Sequence, residues 1–274
     1  MTMSETPRNG RKSAALAAEQ PGRKDDVLMV NSVEKAFRVL SAFGRQHQTL
    51  SLSQVASETG MDVSAAQRFT HTLAKLGYLH KDAQTKRFEL TAKTLDLGYH
   101  FVRSSRLLDR AMPYLMHLSK ETEETVNLTV REGAEIIFVS RFLSRHVLNT
   151  DVIIGTRMPA YATAPGIAML SRLPEDEAMA VIDASDLKAH TPSTTWQREA
   201  LRQKLRQSAA QGYATAFEEV YIGDASIAAA VVDHHGRPEA AVNIATSTSR
   251  YSHAEVVQRF SSLVIAAAHA VSRV

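Results

Sequence analysis

Ser64, Gln67, Arg68, His71 and Lys75 bring a hydroxyl, an amide, a guanidinium, an imidazole and an ammonium group together. At ~100° per residue they fall on one stripe of a helix. These are the groups that bond to base edges and phosphates in a DNA major groove. The opposite stripe is apolar: Ala66, Phe69, Leu73 and Leu76. A helix that only packed would need nothing particular on its outer side. Just downstream, Lys81, Lys86 and Arg87 flank a polar turn, and between Ser64 and Arg87 five Lys or Arg stand against one acid, Asp82. The competing reading is an ordinary solvated face; the basic hairpin beside the helix favours nucleic acid. On that reading Gln67 and Arg68 read bases, and Ser64, His71 and Lys75 add contacts. Lys81, Lys86 and Arg87 hold phosphates, which set register without carrying sequence information.

Catalytic patterns are weaker. Asp233, His234 and His235 spell a triplet used by one class of metal-dependent phosphoesterase. It lies between two apolar strands and is followed by Gly236, so a hairpin turn is the better reading. The 11 histidines show no HxH or HxxxH zinc spacing. Ser32 and Lys35 match SxxK, but the serine sits at a helix start, outside any pocket. No GxSxG elbow, P-loop or GxGxxG occurs. With no Cys in 274 residues, thiol nucleophiles, thiolate metal sites and disulfides are excluded. The sequence implies neither metal nor cofactor, and no enzymatic activity.

The elements that must hold the polar stripe are legible around it. Val33, Ala36, Phe37, Leu40 and Phe43 follow a helical period, with Ser32 as the expected cap and Gly44 as the stop. Leu52, Val55, Ala56 and Thr59 mark a second helix, capped by Ser51 or Ser53 and ended by Gly60. The third is capped by Asp62 and ended by Gly77. A hairpin follows, with strands around Leu79 and Phe88. Three helices and a basic hairpin, with a glycine turn between helices two and three, predict a winged helix-turn-helix.

Residues 1–28 have the composition of a disordered arm, in which Arg8, Arg11, Lys12, Arg23 and Lys24 could meet phosphates. Residues 29–94 form the expected DNA-binding domain and 95–112 a linker helix. Residues 113–274 form the expected effector-binding and oligomerisation domain, beginning with a new helix at Pro113. Its pattern predicts a hairpin through Val126, Leu128, Val130 and Ile136, a third strand over 147–154, and helices over 166–173 and 174–182. A further helix opens at a Thr194 capping box and ends at Gly212; strands over 226–232 and 240–245 and a last helix behind Ser252 follow. The fold class is α+β with a mostly antiparallel sheet.

Charge divides along the same line. Residues 1–112 hold 17 Lys and Arg against 11 Asp and Glu, and residues 113–274 hold 15 against 18. A basic front on an acidic back fits a polyanion partner for the front. No apolar run reaches the ~18–20 residues of a membrane span. No signal-peptide core follows Met1, so a cytoplasmic, nucleoid-associated protein is expected.

The order of these elements resembles the IclR family of bacterial transcriptional regulators. The resemblance is carried by Ser32, Val33, Glu34, Lys35 and Ala36, by residues 50–79, and by Phe88, Glu89 and Leu90. It continues through Gly155, Thr156, Arg157, Met158, Pro159, Ala160 and Tyr161, on to Pro165 and Gly166. Gly212, Tyr213, Glu218, Glu219, Gly223, Asp224, Ala225, Ser226, Ile227 and Gly236 complete it. It implies a GAF-like C-terminal domain, a homodimer or dimer of dimers on double-stranded operator DNA, and a small-molecule effector. An activator of this kind would also meet RNA polymerase. The Pro159, Ala160, Tyr161 form of the loop is similar to the branch controlling protocatechuate and 4-hydroxybenzoate breakdown.

By position, the resemblance places Ala164, Pro165, Ala216, Asp224, Ser226, Asn243, Ala245 and Ser247 around the effector. The sequence departs from the family pattern at Ser226, commonly Cys, and at Ile167, commonly basic. A carboxylate effector needs a donor, and Arg141 and Arg157 are candidates because a guanidinium binds a carboxylate through two parallel bonds. For each, a surface salt bridge is the competing reading. Tyr161, Met158 and Met169 could supply apolar wall. The expected function is a ligand-responsive DNA-binding regulator sensing a small, aromatic organic acid and controlling a catabolic operon. A ligand-independent DNA-binding protein is the alternative.

Overall fold

The computed structural model describes residues 28–44, 46–146 and 152–272, so the expected arm, apart from Leu28, lies outside the described residues. The chain divides into two compact units, Met1–Gly98 and Tyr99–Val274. Among the described residues no helix is long and apolar enough to cross a membrane.

The first unit contains α1 (Asn31–Ser41), α2 (Leu52–Thr59), α3 (Val63–Lys75) and the antiparallel pair β1 (Leu79–Lys81) and β2 (Phe88–Leu90). Local chemistry sets the α2–α3 geometry. Ser51 and Gln54 form a reciprocal capping box on α2, and Gly60 ends it in the left-handed conformation at φ 67°. Two residues later the Asp62 carboxylate accepts from the Ala65 N–H at 2.7 Å and starts α3. Val39, Phe43, Leu50, Val55, Ala56, Ala66, Leu73, Leu79 and Phe88 form the core.

Four expectations here need correction. Ser32 does not cap α1: the cap position is Val30, which makes no side-chain bond. Gly44 is not the stop either, since α1 ends at Ser41 with Ala42 as its cap. The inner face of α1 is set by Val39, while Val33 and Phe37 are 52% and 53% exposed. Leu76 is also exposed, because α3 ends before it.

Leu95–Ser104 forms α4, and Arg106–Thr122 forms α5, capped by the Ser105 hydroxyl. Pro113 therefore does not begin a helix but sits inside one. Leu108, Ala111, Leu115 and Leu118 make an unbroken buried stripe through it. That burial outweighs the ~3 kcal/mol of an interior proline. Pro113 and Asp109, the residue whose carbonyl loses its partner, are both exposed, so water can satisfy that carbonyl.

The second unit holds a sheet of β3 (Thr125–Glu132), β4 (Glu135–Phe142), β5 (Arg157–Pro159), β6 (Ala214–Phe217), β7 (Asp224–Val232) and β8 (Pro238–Ser247). Its strand order is β5-β4-β3-β8-β7-β6 and every pairing is antiparallel. Of the strand expected over 147–154, the first five residues lie outside the described residues and Val152 to Ile154 are not extended pairs; the strand is β5 instead.

Helices cover both faces of the sheet. α5 and α9 (His253–Val271) pack on one, with Val126, Leu128, Ile227, Val242 and Ile244 beneath them. α6 (Ala164–Leu170), α7 (Glu175–Asp183) and α8 (Arg198–Gln211) belong to a second core that includes Ile136, Phe138, Ala228 and Ala241. The capping box at Ser252 is present. The one expected at Thr194 is not: the Thr194 hydroxyl donates to the Glu219 carbonyl at 2.6 Å, and α8 starts behind Gln197.

Candidate functional site

Ser64, Gln67, Arg68, His71 and Lys75 are all exposed on α3, opposite the buried Ala66 and Leu73. Asp82, the one acid between Ser64 and Arg87, is engaged within the hairpin turn. Asp82 accepts from the Gln84 and Thr85 N–H groups and the Thr85 hydroxyl, which holds its carboxyl below the usual range. The hairpin therefore presents Lys81 and Lys86 to the outside, both exposed, with Lys81 Nζ 5.2 Å from the Phe88 ring centre. Arg87 is placed differently. Its Nε donates to the Thr49 hydroxyl at 2.8 Å and its Nη2 to the Thr49 carbonyl at 2.7 Å. This arginine ties the hairpin to the segment before α2, where Leu50 bridges to Phe88.

In the second unit, a cavity of about 700 Å³, mouth included, opens between the sheet and the start of α6. Register explains which side chains reach it. Arg141, Asn127 and Asn243 stand opposite one another across β4, β3 and β8, and Asn243 is opposite Ala228 on β7. The next row runs Thr125, Ala245, Ser226 and Ala216 across β3, β8, β7 and β6.

Arg141 reaches this face through a β-bulge. Thr129 pairs with Phe138 but Leu128 pairs with Ser140, which leaves Val139 as the extra residue on β4. The pleat advances by one, so Arg141 joins Ile136 and Phe138 on the cavity wall. Ser140 faces the other way, with its hydroxyl 3.9 Å from Met112 Sδ.

The cavity is polar at its sheet side. Burial pushes the Asp224 carboxyl up to about 7, with the Arg141 guanidinium opposing. Burial likewise lowers the Arg141 guanidinium, with Asp224 opposing. Asn243 Nδ2 donates to Ser226 Oγ at 3.0 Å. Val152, Met158 and Val220 add apolar wall.

Of the residues expected around an effector, Arg141, Ala164, Pro165, Ala216, Asp224, Ser226, Asn243 and Ala245 line this one cavity. Arg157, Tyr161 and Ser247 do not. Arg157 lies on the surface, paired with Glu132 and, at 3.1 Å, with Glu135. Tyr161 is buried in the core, where its hydroxyl accepts from the Lys188 N–H, donates to the Lys188 carbonyl and meets His190 Nε2 at 2.9 Å. The Ser247 hydroxyl bonds with that of Ser249 at 2.8 Å. Met158 lines the cavity and Met169 does not, and Ile167 is fully buried.

Asn127 and Thr246 line the cavity without having been marked in the sequence. The only signal for Asn127 was an amide at the centre of an apolar alternation, between Val126 and Leu128.

The Asp233, His234, His235 triplet forms the β7–β8 turn. Asp233 Oδ1 accepts from the His235 and Arg237 N–H groups at 2.8 and 2.9 Å, and Gly236 follows at φ 77°. Among the described residues no group of three His, Asp or Glu is placed to hold a metal ion.

The sequence matches two family descriptions: "IclR helix-turn-helix domain" over residues 32–83 and "Bacterial transcriptional regulator IclR C-terminal" over residues 99–273. The Pca regulon regulatory protein of Pseudomonas putida is 31% identical over 239 residues, 87% of this chain and 81% of that protein. A crystal structure of a transcriptional regulator from Rhodococcus sp. RHA1 is 32% identical, with a TM-score of 0.77 over 89% of this chain and 97% of that one. An IclR homologue from Microbacterium hydrocarbonoxydans, solved with 4-hydroxybenzoate, shares the fold at 21% identity, with a TM-score of 0.71 over 88% and 97% of the two chains. The helix-turn-helix unit, the cavity-bearing α+β unit and these matches agree: the chain belongs to the IclR family and is an IclR-type bacterial transcriptional regulator.

Proposed function

We propose that the chain reads operator DNA with the outer stripe of α3 and senses a small aromatic acid in the cavity of its second unit. Residues 29–94 form the DNA-reading part, 95–112 the link and 113–274 the sensing and oligomerising part. Gln67 and Arg68 contact bases, Ser64, His71 and Lys75 flank them, and Lys81 and Lys86 hold phosphates. A homodimer, or a dimer of dimers, sets two α3 helices in successive major grooves of a two-fold operator. This places the protein on the bacterial nucleoid, in the cytoplasm.

One observation carries the sensing role. The bulge at Val139 turns a guanidinium onto a cavity wall that also carries apolar groups, buried amides, hydroxyls and the carboxyls of Asp224 and Glu219. A carboxylate on a small ring fits that combination: two N–H groups for the acid and apolar wall from Ile136, Phe138, Val152 and Met158 for the ring. The Pca regulon relative and the homologue solved with 4-hydroxybenzoate favour the same class of effector.

Strand β3 gives the coupling a physical route. Asn127 faces the cavity, while Val126 and Leu128 face the core shared with α5. A ligand that pulls on β3 acts on α5, whose first residues, up to 112, belong to the link from the DNA-reading unit. It shifts DNA binding only if it binds one arrangement better than the other.

Calorimetry with benzoate, 4-hydroxybenzoate and protocatechuate, alongside DNA binding to the gene's own upstream region, tests this. Heat from at least one acid and a changed DNA affinity are expected. Binding only to neutral compounds would sink the proposal.

A further inference from the structure

We propose that Asn127 is a specificity-determining residue, and that its amide, beside that of Asn243, requires the effector acid to carry a hydroxyl group as well. This rests on reading the cavity as the effector site.

Asn127 is 1% exposed, and neither Nδ2 nor Oδ1 has a hydrogen-bond partner among the described residues. Asn243, directly opposite on β8, is 3% exposed; its Nδ2 donates to Ser226 while its Oδ1 has no partner. Both residues line the same cavity. Buried polar atoms in folded proteins are paired almost without exception, and an unpaired amide is costly enough that an apolar residue would serve a purely packed strand better. A cluster of such atoms on one cavity wall describes a binding surface.

The chemistry of the cluster selects the ligand. A carboxylate only accepts hydrogen bonds, so it can pair with Arg141 and with an amide N–H, but it leaves Asn127 Oδ1 facing an anion. Asn127 Oδ1 needs a donor and Asn127 Nδ2 needs an acceptor. A hydroxyl supplies both through one oxygen. Turning either amide over by 180° leaves Asn127 with one donor and one acceptor, so the requirement stands. Position supports it too. Arg141, Asn127 and Asn243 occupy three adjacent strands, each ~4.8 Å from the next. The guanidinium-bearing position and the far amide are thus ~10 Å apart, which suits a small ring acid with its carboxylate towards Arg141 and its hydroxyl between the amides.

The test compares benzoate with 3- and 4-hydroxybenzoate by calorimetry on the full chain, for the wild type and for Asn127→Leu. The wild type should prefer at least one hydroxylated acid by about 5- to 150-fold, equivalent to about 1–3 kcal/mol for a lost hydrogen bond that leaves a buried group unpaired. In Asn127→Leu that ratio should collapse towards one, with benzoate bound as well as before or better. A residue that merely held the strand would weaken all the acids and leave the ratio intact. If Asn127→Leu does not fold, Asn127→Ala, which leaves space instead of filling it, carries the same comparison. Equal wild-type affinity for the bare and hydroxylated acids overturns the inference and leaves the cavity's role standing. So does an unchanged ratio in the variant. No heat from any acid overturns both.

Discussion

Replacing Gly166 by Ala should damage the sensing unit far more than a one-carbon change suggests. Gly166 lies in the first turn of α6, one residue past Pro165 on the cavity wall. A Cβ there would stand 2.1 Å from the Ala160 carbonyl oxygen, 2.5 Å from its Cα and 2.6 Å from its carbonyl carbon. All three atoms are backbone, in a turn where Ala160, Tyr161 and Ala162 are buried, so no flexible side chain can swing aside. A separation of ~3.2 Å demands a shift of ~1 Å between two packed backbone segments, and overpacking on that scale costs about 3 kcal/mol or more. Gly133→Ala makes the control. Gly133 has φ 59° and nothing within 4 Å of its added Cβ, so it carries only the left-handed strain of about 1–2 kcal/mol. Trp196 is the chain's one tryptophan and lies in the second unit, so urea unfolding followed by its fluorescence reports that unit. Gly166→Ala should lower the midpoint clearly below that of Gly133→Ala. Equal midpoints would refute the close approach of α6 to the 160–162 turn.

Arg68→Ala should cost about 1–3 kcal/mol on the operator and relax its specificity, whereas Lys86→Ala should weaken specific and random DNA alike and reduce the salt slope by about one; anisotropy titrations at several salt concentrations separate them. Arg87→Ala should instead loosen the hairpin, since two bonds to Thr49 are lost at about 1 kcal/mol each. Faster amide hydrogen exchange over residues 79–90 checks it, and an unchanged exchange pattern contradicts it. The Asp224 carboxyl, raised to about 7, predicts a pH effect on effector binding. Below that pH Asp224 is neutral and does not repel the incoming carboxylate. Above it, anionic Asp224 competes for Arg141 and repels the ligand, so affinity should fall as pH rises through about 7, by at most tenfold per unit. Asp224→Asn should flatten the profile measured by calorimetry between pH 6 and 8.

The DNA-reading unit was legible in the sequence because its signals are local. Asp62 caps the helix three residues before Ala65, Gly60 supplies the left-handed turn beside it, and the polar and apolar stripes of α3 follow from helical period alone. Two capping errors, one in each unit, share a cause. Ser32 and the Thr194 box have the right residue types, but Val30 precedes the first turn of α1 and the Thr194 hydroxyl is engaged by the Glu219 carbonyl across the fold.

The cavity was legible only through resemblance, and only in part. Arg157 and Tyr161 adjoin the loop that leads to Ala164 and Pro165. Yet closeness along the chain did not bring them to the cavity: Arg157 faces two surface carboxylates and Tyr161 the 186–190 segment. Arg141 depends on a bulge, and nothing in residues 135–142 announces where β4 slips against β3. Asn127 was hidden by alternation. Val126 and Leu128 mark one face of β3 as apolar, but period two does not reveal that the other face is covered as well.

The most direct test of the central claim, that an acid held by Arg141 controls DNA binding, is fluorescence anisotropy of the gene's labelled upstream DNA. It is titrated with the full chain in the presence and absence of saturating 4-hydroxybenzoate, for the wild type and for Arg141→Ala. The account predicts that the acid shifts the wild-type DNA affinity by about 5- to 150-fold, the usual range of coupling between two sites, and that the shift disappears in Arg141→Ala. An acid response of the same size in Arg141→Ala, or an acid that binds the wild type and leaves its DNA affinity unchanged, would contradict it.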